Sequence, residues 1–169
     1  MPKTKPAFSI KNGDEISLSD SALTELLRSI LKRGLPFKFC AKGTSMHPFI
    51  RGGDVITVSP LIDKTPGIGN VVAFTHPKNN KLMVHRIYGK TPKGYKIKGD
   101  NITVSDGIIP DDYILGYVTG IERNAKSISL GLGLERYLIA FFTRKGRLYR
   151  LFLPTWRLIQ FIKNIIRWR

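Results

Sequence analysis

Gly43-Thr44-Ser45-Met46-His47-Pro48-Phe49-Ile50-Arg51-Gly52-Gly53-Asp54 is the stretch on which the reading of this chain turns. It lies between two short runs of strand-forming residues, Phe37–Ala41 and Val55–Val58, and its Gly, Pro and Asp residues supply turn chemistry. A serine in a turn is ordinarily only a turn former, and Ser59, Ser105 and Ser127 are read that way. Ser45 is set apart by Met46 and Pro48 and by the Gly53-Asp54 turn into an apolar strand.

Moving outward, the β pattern continues at Val71–Thr75, Leu82–Tyr88, Gly94–Lys98 and Ile114–Ile121. Turns are expected at Arg51–Asp54, Thr65–Gly67, Pro77–Asn80 and Asp106–Asp112. Short strands at this spacing predict a compact, mostly antiparallel β domain over residues 37–122. Residues 1–36 form a separate segment with one amphipathic helix over Leu18–Arg33. Leu23, Leu26, Leu27, Ile30 and Leu31 make its apolar face, Ser19 or Asp20 caps its start, and Gly34 ends it. Residues 123–169 read as a basic, amphipathic extension. Pro154 suits the first turn of a helix to Trp168, with Leu158, Phe161, Ile162, Ile165 and Ile166 opposite Arg157, Lys163 and Arg167. Tyr137–Phe142, followed by Arg144, Lys145 and Arg147, offers a second shallow apolar contact. The fold class is therefore mostly β, with an N-terminal helix and C-terminal basic amphipathic helices.

Charge narrows the partners. Lys and Arg number 28 against 12 Asp and Glu, a net charge of +16. Residues 121–169 hold 11 of the basic and 2 of the acidic groups, a net of +9, so more than half the excess lies in that extension. Such a field attracts anionic surfaces. Nothing reaches the roughly 18 consecutive apolar residues of a membrane span, and no secretory signal is visible. The expectation is a protein held peripherally on a membrane and otherwise cytoplasmic. One cysteine, Cys40, excludes a disulfide framework, and is read as a small packed side chain. His47, His76 and His85 lack metal-ligand spacing, so neither metal nor cofactor is expected. His47 reads as a loop residue near the cleft, His76 as part of a turn, and Phe74, Tyr88 and Tyr95 as sheet-packing residues.

Forty residues after Ser45 come Val84-His85-Arg86-Ile87, then Lys98-Gly99-Asp100-Asn101 and Asp106. With Ser45-Met46-His47-Pro48, Gly53-Asp54 and Gly69-Asn70-Val71-Val72-Ala73-Phe74, these boxes in order resemble the superfamily of type I signal peptidases and LexA-like self-cleaving repressors. Asn70 stands where an acidic residue is usual. His85 in place of a lysine is similar to the archaeal and endoplasmic-reticulum-type branch. The resemblance spans about residues 37–122.

It implies Ser45 as nucleophile and His85 as general base. The chemistry agrees: a serine hydroxyl needs an adjacent base, a neutral imidazole serves near pH 7, and a carboxylate fixes its tautomer. The resemblance places that carboxylate at Asp106, with Asp100 of the box the second candidate. It implies an oxyanion and substrate site around Ser45, Thr44, Met46 and Pro48, the Ser45 amide being the first donor. Gly43 stands where many signal peptidases have a serine, and Thr44 is the candidate to compensate. The implied activity is a serine endopeptidase that cuts an extended precursor or signal peptide after small residues such as alanine. A repressor would need a helix-turn-helix module and a scissile Ala-Gly pair, and the sequence shows neither. The alternative is a non-catalytic basic β domain that binds anionic lipid or nucleic acid; no nucleic-acid motif accompanies the charge.

Overall fold

A computed structural model describes residues 8–11, 15–62 and 64–145. The expected helix from Pro154 to Trp168 lies outside them. Ten strands and two helices run in the order β1 (Phe8–Lys11), β2 (Glu15–Leu18), α1 (Asp20–Lys32), β3 (Phe37–Cys40), β4 (Val55–Ser59), β5 (Val71–Thr75), β6 (Leu82–Thr91), β7 (Gly94–Lys98), β8 (Gly107–Ile109), β9 (Ile114–Arg123), β10 (Lys126–Ser127) and α2 (Arg136–Lys145). The architecture is mostly antiparallel β with flanking helices, as its sequence pattern predicts.

β1 and β2 form a hairpin of their own, paired from Phe8 with Leu18 to Lys11 with Glu15. The main sheet has the order β3-β4-β9-β5-β6-β7-β8, with β10 folded back on β9. Every pairing in it is antiparallel. Strand register slips at Thr57/Val58, Ala73/Phe74 and Ile87/Gly89. Such bulges bend and twist a sheet, so that its two faces enclose separate volumes.

β5 shows the result. Its five residues are all buried, because alternate side chains feed two cores. Val71 and Ala73 join Leu27, Leu31, Met46, Ile50, Ile56 and Val118, whereas Val72 and Phe74 join Ile87, Tyr95, Ile97 and Ile109. α1 covers the first core. Ser19 Oγ accepts from the Ala22 amide at 3.2 Å, and Asp20 and Lys32 complement the helix dipole at either end. Leu27 and Leu31 are buried, each contributing about 2 kcal/mol. Leu26, at the edge of the expected apolar face, is exposed.

Several features depart from the sequence expectation. The turn read over Asp106–Asp112 contains strand β8, followed by a short 3-10 turn at Asp111–Tyr113. β9 runs to Arg123 and is continued by β10, so the sheet crosses the expected boundary at residue 122. Cys40 is exposed on β3 rather than packed, because the sheet turns its alternate residues Lys38 and Cys40 outward.

Candidate active site

The turn after β3 starts at Ser45 and is tied into the core by its own apolar residues. Met46 and Ile50 are buried beside Leu27 and Ile56, and the Ile50 amide donates to Met46 O at 3.1 Å. The His47 amide donates to Thr44 O at 3.1 Å, and the His47–Pro48 peptide is cis. Thr44 is exposed, whereas Pro48 and His47 are half-buried. A second loop, between β7 and β8, straps this turn from the side. Asn101 donates its amide to Ser45 O at 2.7 Å and its side-chain Nδ2 to Thr44 O at 3.1 Å.

Gly99 explains how the two loops come so close. A Cβ at this position would lie 2.7 Å from Ser45 O and 3.1 Å from His85 Nε2. Only a glycine fits without moving the serine or the imidazole.

His85 is carried by β6, opposite Val72 of β5, and is 2% exposed. Its Nε2 lies 2.9 Å from Ser45 Oγ and its Nδ1 lies 2.7 Å from Asp106 Oδ2. A carboxylate can only accept, so Nδ1 carries the ring proton and Nε2 presents its lone pair to the serine hydroxyl. Asp106 is itself placed by the sheet: its amide donates to Ile97 O at 3.1 Å. Its neighbour Ser105 donates to the same carbonyl at 3.1 Å and makes a 2.9 Å hydrogen bond with the Tyr88 hydroxyl. Ser105 is thus a turn former whose turn delivers Asp106.

Asp100, the other candidate acid, faces elsewhere. Successive side chains on a strand leave opposite faces, so Arg86 diverges from His85. The fully buried Arg86 guanidinium meets Asp100 in a forked pair, Nε to Oδ1 at 2.9 Å and Nη2 to Oδ2 at 2.8 Å. Its remaining nitrogen, Nη1, donates to Gly69 O and Gly131 O, both at 2.8 Å. The Gly53-Asp54 turn is structural in the same way. Asp54 accepts from the Arg51 amide at 2.7 Å and from Arg123 Nε and Nη2 at 2.8 Å. Burial raises the Asp54 pKa, but the Arg123 and Arg51 hydrogen bonds outweigh it and hold the carboxyl below its ordinary value. Asn70 has a local task too, closing its turn by accepting from the Gly67 amide at 2.8 Å.

A cleft of about 190 Å³ opens beside Ser45 and His85, bordered by Phe39–Gly43 on one side and Leu82–Val84 on the other. Met46, Ile50 and Ile56 contribute apolar lining, and Cys40 faces it from the rim. Both borders are strands with an open edge among the described residues. β3 is the end of the sheet, and β7 pairs with β6 only from Arg86 onward, leaving Leu82–His85 paired on the β5 side alone. His76 lies apart, accepting at Nδ1 from the Lys78 amide at 3.2 Å in its own turn. Phe74 and Tyr95 are buried in the sheet core.

Of the residues singled out from sequence, Ser45, His85 and Asp106 come together in one hydrogen-bonded line, Met46 and Pro48 shape the turn beneath it, and Asp100 joins a buried ion pair. Gly99 and Asn101 position the site without having been assigned roles, the Lys98–Asn101 box being their signal, and Ser105, read as a turn former, forms the turn that delivers Asp106. No family model matches the chain, and no curated protein matches it.

Proposed function

We propose that this protein is a serine endopeptidase with a Ser45–His85–Asp106 triad, acting on an extended peptide. One observation carries the reading: a single buried imidazole bridges a serine hydroxyl and a carboxylate, at 2.9 and 2.7 Å, at the mouth of a cleft flanked by two open strand edges. A peptide laid along those edges would gain backbone hydrogen bonds, leaving side-chain pockets to set preference. Ser45 Oγ attacks the scissile carbonyl carbon as its proton passes to His85 Nε2, and Asp106 stabilises the imidazolium. His85 then returns that proton to the leaving amine nitrogen as the C–N bond breaks. Water, losing a proton to Nε2, releases the acyl group from Ser45 by the reverse route. Among the described residues nothing accepts from the Ser45 amide, so it is available to the developing oxyanion. The ordered boxes that resemble signal peptidases support a precursor or signal peptide as substrate, with small residues before the cut.

The test is to incubate wild type, S45A and H85A with a diverse peptide pool and to read the products by mass spectrometry. Cuts that need both side chains are the expected result. Cuts shared by all three proteins, or none in any, would refute the reading.

Among the described residues no helix is long and apolar enough to cross a membrane. We infer that the enzyme works on an anionic lipid surface reached peripherally. α2 and the turn before it expose Leu134, Tyr137, Leu138 and Phe141 on one side, at three- and four-residue steps, with Arg144 exposed beyond them. An apolar stripe next to cationic groups matches the interface of an anionic bilayer. Flotation with phosphatidylserine vesicles, lost in the double variant L138E/F141E and retained in S45A, is the expected outcome. Equal flotation of wild type and the double variant would remove α2 from the contact.

A further inference from the structure

The buried side of α2 is as informative as its exposed side. Thr143, 2% exposed, donates its hydroxyl to Asp100 Oδ1 at 3.2 Å. Its carbonyl accepts from the Lys98 ammonium at 3.1 Å. Lys98 and Asp100 flank Gly99, the residue that lies against Ser45 O and the His85 ring. Asp100 is followed by Asn101, whose two donors hold the carbonyls of Thr44 and Ser45. The last turn of α2 therefore grips both neighbours of the residue on which the serine and histidine meet.

The other end of the helix grips the nucleophile turn from its far side. Glu135 Oε1 accepts from the amides of Gly131 and Gly133 at 2.7 and 3.0 Å, fixing the turn that leads into α2. Gly131 has a φ of +96°, and a Cβ there would lie 3.0 Å from the Phe49 Cβ. Phe49 thus seats directly on that backbone, and Arg86, which donates to Gly131 O, lies with its guanidinium carbon 5.6 Å from the Phe49 ring centre. Ser45 and Phe49, the two ends of one short turn, are both braced by contacts that run to α2.

Lys98 ties the same end of α2 to the strand that leads into Gly99. Its ammonium is buried, its one described hydrogen bond goes to a neutral carbonyl, and burial holds its pKa below the ordinary 10.5. Burying a charge without a counter-ion costs stability. The carbonyl belongs to the last turn of α2, where free backbone acceptors and the helix dipole favour a cation. The chain thus docks the end of this helix with a buried ammonium.

We propose that α2 is a positioning element of the active site, and that Thr143 and Lys98 are the positioning residues that set the distance between Ser45 Oγ and His85 Nε2. The proposal rests on the peptidase reading for its kinetic expression, and its geometry is tested separately. Thr143→Val keeps the shape and removes the donor; Thr143→Ser keeps the donor. Lys98→Met removes the ammonium and keeps the stem.

On full-length protein, T143V is expected to lower kcat about 10- to 100-fold with KM within about twofold, as displacement of a catalytic group by about an ångström does. T143S restores most of kcat. K98M reproduces the loss with a thermal midpoint close to that of wild type, and it answers the question should T143V not fold. The second readout needs no substrate: the ¹⁵N shift of His85 Nε2 in ¹⁵N-histidine-labelled protein, with S45A defining the value without the serine bond. T143V and K98M are expected to move toward the S45A value. Variants with wild-type kcat, or with a wild-type Nε2 shift while S45A differs, would overturn the proposal. A wild type that cleaves nothing while its variants still move the Nε2 shift would overturn the peptidase reading and leave the positioning role standing.

Discussion

Replacing Asp106 by Asn separates the two carboxylates that sequence alone leaves as rivals. In the native site Asp106 Oδ2 accepts from His85 Nδ1 at 2.7 Å, and this leaves Nε2 free to accept from Ser45 Oγ at 2.9 Å. An amide nitrogen at the Oδ2 position donates to Nδ1 instead, which moves the ring proton to Nε2. The serine then faces a donor rather than a base. Restoring the useful tautomer costs the buried, charge-assisted hydrogen bond, about 1.5–3 kcal/mol. The imidazolium formed during attack also loses its carboxylate in a site where His85 and Asp106 side chains are 3% and 8% exposed. The first loss alone is about 10- to 100-fold in kcat at about 1.36 kcal/mol per tenfold, and both together about 10³–10⁴, the size of an Asp→Asn change in a serine triad. Asp100→Asn acts on a different quantity. It halves a forked pair with Arg86 in which both side chains are fully buried, and breaking such a pair costs about 3–5 kcal/mol of stability. The assay is steady-state cleavage of the best peptide from the pool, alongside thermal denaturation of each variant. D106N is expected to lose kcat with its melting midpoint nearly unchanged, and D100N to lose its melting midpoint. A D106N enzyme that kept more than a tenth of wild-type kcat would refute the triad.

Gly99→Ala places a methyl 2.7 Å from Ser45 O and 3.1 Å from His85 Nε2, so one of them must shift. Its kcat is expected to fall about 100-fold or more, and a variant with wild-type kcat would show that the two loops move apart freely. Asp54→Asn tests the Gly-Asp turn through pH. The folded carboxyl lies below its ordinary value of 3.8, so its contribution is complete above that value and is lost as pH falls through the lowered folded one. D54N is therefore expected to be less stable than wild type by about 1–3 kcal/mol at neutral pH, with the gap closing below pH 3.8. Urea denaturation at both ends of that range checks the sign, and a gap that widens in acid would contradict it.

The sheet was legible in sequence wherever alternation and turn residues coincided. β5 and β7 match their expected bounds, while β6 extends three residues past Tyr88. β8 escaped because three residues, Gly107-Ile108-Ile109, are too few to show a period and sit among turn formers. The β1–β2 hairpin was not anticipated either, although Asn12-Gly13 is a strong hairpin signal by composition. Within the site, Ser45 and His85 were marked by their neighbours in the chain. The choice between Asp100 and Asp106 was not, because it depends on which face of β6 each residue meets after the loop that follows β7. Thr143 was beyond sequence reasoning altogether: its partner Asp100 lies 43 positions away, and nothing in Tyr137–Phe142 reveals which side of that helix is buried.

The open strand edges beside the cleft carry a cost of their own. A strand edge ready to receive a peptide from a substrate is equally ready to receive one from a neighbouring copy, and unguarded edges seed aggregation. β3 is only four residues long, and its Lys38 stands exposed, paired across the sheet with Glu122. Shortness and an outward lysine are two familiar defences of an open edge. In this chain they blunt the edge against stacking, and on the peptidase proposal a strand of four residues still suffices to register the few residues on either side of a single peptide bond.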